Sequence, residues 1–312
     1  KDAQYFLNAI ELLNSKLSNE NDNSRIEEDG KIYMMDYLYP QLDDIYLNYK
    51  ISNKKEFNEY KSTININQNI EEEADKLCNK NFELASHQKF LRNFLSEFTP
   101  YNGVLLYHGL GTGKTCSAIG IAEETRLYMK YNGQNKQILI VASPNVQLNF
   151  RVQLFDETKL EYENGRWIIN NCAGQNILDE INSLQSKIPR DKVIKLVNNI
   201  INNYYTFIGY IELANLISKH SNINSILKEN PKISKKKQNI LIKNKLDKFF
   251  GNRLIIIDEI HNIRDTKDNS NKLVAKQLEN LVKNVNNMKL VLLSATPMFN
   301  DYKEIIFLLN LL

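Results

Sequence analysis

From about residue 82 onward, short aliphatic runs alternate with longer stretches of helical spacing. Val104 to Tyr107, Ile138 to Ala142, Leu254 to Ile257 and Leu290 to Leu293 are continuous and apolar, and Tyr205 to Ile208 adds a fifth run. Such runs read as parallel strands covered by helices on both faces. Their alternation with helical stretches predicts βαβ units and an α/β fold on a doubly wound parallel sheet. Ligands of such sheets bind where loops leave the carboxyl ends of the strands, so the residues after each strand matter most. Upstream, the pattern is different. Phe6, Ile10, Leu13 and Leu17 share one helical face, and Asn19 to Gly30 is polar and acidic, which predicts a helix followed by a linker. The expected division is a helical N-terminal extension over 1–80 and an α/β lobe over 81–312.

Between the runs lie two further signals. Asn164-Gly165 separates two short runs within Leu160 to Ile169, a strong hairpin signature. Ile211 to Phe250 is helical in pattern and rich in lysine, and reads as a basic helical insert. The whole chain of 312 residues carries 40 Lys and Arg against 37 Asp and Glu, a net +3 that neither requires nor excludes a polyanionic partner. Its distribution says more. Residues 1–30 sum to −4, whereas residues 228–248 hold eight lysines, among them Lys235, Lys236 and Lys237, against two acids. A nucleic-acid backbone could be tracked there, and a solvated helical face accounts for the lysines equally well. Cys78, Cys116 and Cys172 are far apart with no CxxC pair, which argues against a disulfide framework or structural zinc and fits a reducing compartment. No apolar run approaches the roughly 18 residues of a membrane span, and no signal-peptide pattern is present, so a soluble intracellular protein without a membrane partner is expected. Lys1 in place of Met, and the apolar run Ile305 to Leu312, make both ends look cut.

The loop after the first run reads His108-Gly109-Leu110-Gly111-Thr112-Gly113-Lys114-Thr115 and leads into a helical stretch from Cys116 to about Met129. Glycines let the backbone curl so that several N–H groups point at phosphate oxygens, and the helix N-terminus adds partial positive charge. Lys114 would reach the β and γ phosphates of ATP, the Thr115 hydroxyl would hold Mg²⁺, and Gly109, Gly111, Thr112, Gly113 and Cys116 would line the cradle. A strict P-loop has Gly where this chain has His108. After Leu254 to Ile257 comes Asp258-Glu259-Ile260-His261, where Asp258 is assigned to the metal and Glu259 to the base that deprotonates the attacking water, with His261 beside them. Ser294-Ala295-Thr296 follows the last run and could bond the carboxylates or His261 and sense the γ phosphate. Ser143, Pro144, Asn145 and Gln147 follow the second run and suit contacts to a nucleic-acid backbone.

The order Gly-Lys-Thr, Ser-Pro-Asn, Asp-Glu-Ile-His, Ser-Ala-Thr resembles motifs I, Ia, II and III of superfamily 2 helicases and translocases, with an acidic motif of the DEAD/DEAH-box kind. Gln88, 26 residues before Lys114, resembles the upstream glutamine that reads adenine in that superfamily. A narrower likeness covers about residue 32 to the end. It rests on Leu38 to Asp44, Lys54 to Phe57, Thr99 to Asn102, Tyr107 to Ala118, Ala142 to Gln147, Asp258 to Arg264 and Leu293 to Asn300. These stretches resemble the helicase-like ATPases of nucleocytoplasmic large DNA viruses: mimivirus-like proteins and, more distantly, the poxvirus early transcription factor small subunit and nucleoside triphosphatase I. The resemblance implies a RecA-like P-loop NTPase lobe that uses ATP and Mg²⁺ to move on nucleic acid, DNA rather than RNA. It further implies work in viral transcription beside a viral RNA polymerase or transcription factors, in the virion or a cytoplasmic viral factory. A superfamily 2 motor closes its ATP site with a second RecA-like lobe carrying an arginine finger in a Gln-x-x-Gly-Arg-x-x-Arg stretch, and this chain has no such stretch. The lone lobe is expected to bind ATP and turn it over poorly. Two rivals remain at the level of sequence: a duplex translocase that does not separate strands, and a non-catalytic nucleotide-binding subunit that docks a partner.

Overall fold

The computed structural model describes residues 39–61, 83–109, 111–173, 175–183, 188–222, 234–263, 269–298 and 303–312. The helix read over Phe6 to Leu17, and Lys228 and Lys232 of the basic stretch, lie outside the described residues. The chain divides into two compact units after Leu47, and the elements that carry chemistry belong to the second. Its strands are β1 (Gly103–Tyr107), β2 (Ile138–Val141), β3 (Leu160–Glu163), β4 (Arg166–Ile169), β5 (Tyr205–Ile208), β6 (Leu254–Ile257) and β7 (Lys289–Ser294). The helices, in chain order, are α1 (Leu47–Ser52), α2 (Lys55–Asn58), α3 (Ser86–Phe94), α4 (Lys114–Tyr131), α5 (Pro144–Leu154), α6 (Asn176–Asn182), α7 (Arg190–Tyr204), α8 (Tyr210–Ser221), α9 (Lys235–Phe250), α10 (Asn269–Asn284) and α11 (Lys303–Leu309).

Five strands form one parallel sheet in the order β1-β7-β6-β2-β5, so every aliphatic run of the sequence is a strand of the same sheet. In β6 all four residues are at most 1% exposed, which is why no polar alternation marks it. The pleat sends Leu139, Val141, Ile255, Ile257, Leu290 and Leu292 to one face, where they meet Leu213 and Ile217 of α8, Leu246 and Phe250 of α9, and the helices α10 and α11. Ile140, Ile256 and Val291 alternate with these and point to the other face, on which α4 packs against β6. Each such side chain, fully buried, contributes about 1.5–3 kcal/mol. Helices α8 and α9 thus close one face of the sheet with their apolar sides, while Lys235, Lys236 and Lys237 stay exposed.

The Asn164-Gly165 signal is a turn between antiparallel β3 and β4, with Tyr162 opposite Trp167. Both turn residues have positive φ, 49° and 83°, as the tight hairpin requires. Trp167 packs in this hairpin, its ring 4.9 Å from that of Tyr162 and its indole N–H donating to the Ile188 carbonyl.

One feature departs from the sequence expectations. Cys116 and Cys172, 56 residues apart, are joined by a disulfide with Cα atoms 5.0 Å apart. The spacing argues against a disulfide framework, yet it contains no information on which segments the crossover connections bring side by side. Arg126, on which the sequence reading is silent, is fully buried. Glu123 takes two of its N–H groups at 3.0 and 2.8 Å, Glu180 of α6 takes another at 2.6 Å, and Tyr205 of β5 donates to Glu123. Burial, the largest influence, works against the guanidinium charge, yet Glu123, Tyr205 and Glu180 together outweigh it and hold the pKa above its ordinary value. The network pins α4 to α6 and the sheet edge. Removal of one partner would strand a buried charge, at a cost of about 3–5 kcal/mol.

Candidate nucleotide site

The P-loop, the acidic stretch and Ser294-Ala295-Thr296 leave the carboxyl ends of β1, β6 and β7, and β7 lies between the other two strands. Residues separated by 144 and more positions in sequence therefore converge. The loop from His108 to Gly113 feeds directly into α4, whose first residue is Lys114. Gly113 has φ +83°, and a Cβ there would stand 2.5 Å from Gln88 Nε2, so only glycine fits. Gln88 is buried on α3, which packs against α4. Its Oε1 accepts from the Ala85 N–H at 2.9 Å and its Nε2 donates to the Gly113 carbonyl at 3.1 Å. The upstream glutamine thus braces the P-loop backbone directly. Thr112 Oγ1 donates to the Gly109 carbonyl at 2.8 Å, and Lys114 Nζ donates to the His108 carbonyl at 3.2 Å, folded across its own loop. Gly109, Gly111 and Thr112 are exposed, and Lys114, Thr115 and Cys116 half-buried. His108, where a strict P-loop has glycine, meets His87 edge-to-face at 5.4 Å. Burial, then the neighbouring His87 and Lys114, push its pKa below the ordinary histidine value.

Asp258 follows β6 and is 6% exposed. Its Oδ1 accepts from the Glu259 N–H at 2.8 Å. Burial raises its pKa to about 6, the Glu259 charge adds to the rise, and the Glu259 N–H and Lys114 oppose it. Glu259 sits in the left-handed region, φ 46° and ψ 49°, an unfavourable conformation for a residue with a Cβ. His261 Nδ1 lies 3.1 Å from Ser294 Oγ, a hydrogen bond, and 3.1 Å from Glu259 Oε2, an ion-pair distance without hydrogen-bond alignment. Glu259 Oε2 is consequently buried without a hydrogen-bond partner. Ser294, fully buried, also accepts from the Thr296 N–H at 3.1 Å, and its carbonyl receives the His108 N–H at 3.4 Å. One serine therefore joins the P-loop strand, the acidic stretch and Thr296. Ala295 is half-buried and Thr296 exposed at the strand tip.

A residue the sequence reading passed over is Tyr210, at the start of α8, whose hydroxyl donates to the Asp258 carbonyl at 2.8 Å. The signal is local: Tyr210 follows the fifth strand at the same sheet edge as the loops after the other four. Ser143, Pro144, Asn145 and Gln147 leave the same edge after β2 and begin α5, with Gln147 Nε2 donating to the Ala142 carbonyl at 2.8 Å. Lys235, Lys236 and Lys237 form the exposed first turn of α9, and none of the site's hydrogen bonds reaches them. Among the described residues there is no cluster of three or more His, Cys, Asp or Glu that could hold a metal, and no described helix is long and apolar enough to cross a membrane.

Residues 81–299 match the family described as type III restriction enzyme, res subunit. One similar protein, from Acanthamoeba polyphaga mimivirus, bears a name proposing an ATP-dependent RNA helicase. It is 28% identical over 264 residues, covering 81% of this chain and 21% of that protein. A second mimivirus protein with the same description is 30% identical over 239 residues, covering 74% and 33% respectively. The early transcription factor large subunit homolog of African swine fever virus (isolate Pig/Kenya/KEN-50/1950) is 28% identical over 270 residues, 75% of this chain and 24% of that protein. The chain spans between a fifth and a third of the length of these relatives. With a P-loop braced on a parallel sheet, an acidic pair two strands away across β7, and a match over residues 81–299, the chain belongs to the helicase-like family of the type III restriction enzyme, res subunit.

Proposed function

We propose that this chain is the ATP-binding lobe of a nucleic-acid-dependent motor of viral transcription, and that it hydrolyses ATP to move on DNA. The observation that carries the reading is the convergence of Lys114, Asp258 and Glu259 at one sheet edge, with Ser294 and His261 linking them. Lys114 leaves the His108 carbonyl to reach the β and γ phosphates, and Gln88 and Gly113 hold the loop in the curl that presents backbone N–H groups. The hydroxyl of Thr115 and the buried carboxylate of Asp258 are hard oxygen donors that fit Mg²⁺. Held there, the ion would supply positive charge to offset the charge that develops on the transferred phosphoryl group. Glu259 orients the attacking water and takes its proton on Oε2, the oxygen without a partner, as the water attacks the γ phosphorus and the bond to ADP breaks. His261, Ser294 and Thr296 then sense the change in charge and pass it to the strand tip.

Nucleic acid is assigned to the same edge, with Ser143, Pro144, Asn145 and Gln147 meeting the phosphate backbone and Lys235, Lys236 and Lys237 adding salt-sensitive attraction. Residues 1–80 form an extension, 211–250 carry the basic helix, and the remainder of the longer proteins supplies a second lobe whose arginine finger is worth on the order of 10³–10⁵ in rate. The likeness to a restriction-enzyme subunit favours, as a second reading, a translocase that moves on duplex without separating it.

The test is phosphate release by the full-length protein with and without DNA, beside strand-displacement and triplex-displacement assays. DNA-stimulated hydrolysis that Lys114→Ala abolishes is expected. Triplex displacement without strand displacement would select the second reading, and hydrolysis indifferent to DNA and to Lys114→Ala would overturn both.

A further inference from the structure

The disulfide between Cys116 and Cys172 is attached to the nucleotide site itself. Cys116 is the third residue of α4, directly after Lys114 and Thr115. Cys172 lies in the turn that follows β4 and is 4% exposed. Its neighbour Asn171, also buried, donates from Nδ2 to the Leu154 carbonyl at 2.8 Å, which fixes this turn to the end of α5. The bridge therefore ties the first turn of the P-loop helix to the β3–β4 hairpin and to the helix that begins at Ser143 and Pro144. The Cα atoms, 5.0 Å apart, are within the ordinary range for a disulfide.

We propose that Cys116 and Cys172 form a reversible redox clasp on the nucleotide site. The inference rests on the reading of Lys114 and Thr115 as phosphate and Mg²⁺ ligands. A peroxide closes the clasp: the two thiols lose two electrons and two protons as the S–S bond forms, and hydrogen peroxide is reduced to two molecules of water. A dithiol reductant opens it by thiolate attack on one sulfur, and its own two sulfurs end as a disulfide. Closed, the clasp holds the residue after Thr115 to the hairpin turn. Nucleotide binding must draw Lys114 off the His108 carbonyl and let the first turn adjust to the phosphates, which the closed clasp resists and the open one permits.

The experiment uses this chain after treatment with hydrogen peroxide or with dithiothreitol. Alkylation and peptide mapping read the state of the cysteines, and a fluorescent ATP analogue with Mg²⁺ reads affinity. Expected are a joined Cys116–Cys172 peptide after peroxide, an affinity at least threefold weaker than in the reduced chain, and loss of that difference in Cys172→Ser. Cys172→Ala, which places no hydroxyl in the buried pocket, repeats the comparison if the serine variant does not fold. Equal affinity in the two states, or both thiols still alkylated after peroxide, would overturn the clasp while leaving the nucleotide site intact. Absence of analogue binding in the reduced chain would overturn the nucleotide-site reading, and the clasp's effect with it.

Discussion

Glu259→Gln in the full-length protein should lower ATP turnover by about 10²–10⁴, the usual contribution of a general base, while ATP affinity changes little. The replacement keeps the size and shape of the side chain and removes only its ability to take a proton. The hydrogen bonds that side chains form at Gly113 and Lys114 run to Gln88, Ser117 and His108 and not to Glu259, so the phosphate cradle survives, and the backbone strain at φ 46° is unchanged because glutamine has the same Cβ. That strain is itself informative. A left-handed conformation at a residue with a Cβ costs on the order of 1–3 kcal/mol and persists only where packing imposes it. Here it sets Glu259 Oε2 within 3.1 Å of His261 Nδ1, beside the buried Asp258. Burst and steady-state phosphate release on wild type and variant decides the matter. Unchanged turnover would remove Glu259 from the role of base.

Asp258→Asn has an effect of a different kind: the metal-free chain should become more stable as activity is lost. Burial and the Glu259 charge raise the Asp258 pKa from the ordinary 3.8 to about 6. A carboxyl whose pKa is higher folded than unfolded binds its proton more tightly in the native state. Its ionisation therefore destabilises the fold above pH 6, by about 3 kcal/mol for a rise of about two units, and the penalty fades as pH falls from about 6 to 4. Asparagine cannot ionise, and its Oδ1 still accepts from the Glu259 N–H. Thermal unfolding without Mg²⁺ should show the variant about 5 °C above wild type at pH 7 and level with it near pH 4. A lower midpoint at pH 7 would contradict the account of Asp258 as a buried charge waiting for a cation. In the full-length protein the same variant should lose Mg²⁺-dependent hydrolysis.

The parts of this site that were legible in sequence share a property: each is a local pattern. Leu254 to Ile257 reads as a buried strand because four aliphatic residues in a row leave no polar face, and Gly111-Thr112-Gly113-Lys114 reads as a phosphate loop because its backbone needs are local. Asn164-Gly165 gave its turn away for the same reason. What remained hidden depends on which distant segments become neighbours. Cys172 reaches Cys116 only because the β3–β4 hairpin returns over the start of α4. The charge on Arg126 is tolerated inside only because Glu180, 54 residues on, arrives beside it. Tyr210 holds the Asp258 carbonyl from a strand two places away in the sheet. Gln88 could be picked out by resemblance, yet its contact with Gly113 depends on how α3 packs on α4.

The central claim is that Lys114, Thr115 and Asp258 together bind ATP with Mg²⁺. Equilibrium titration of this chain, kept reduced, with a fluorescent ATP analogue in Mg²⁺ and in excess chelator tests it most directly. Saturable binding that weakens at least tenfold in chelator, and to a similar degree in Lys114→Ala with Mg²⁺ present, is the predicted result. Binding of equal strength under all three conditions would contradict it.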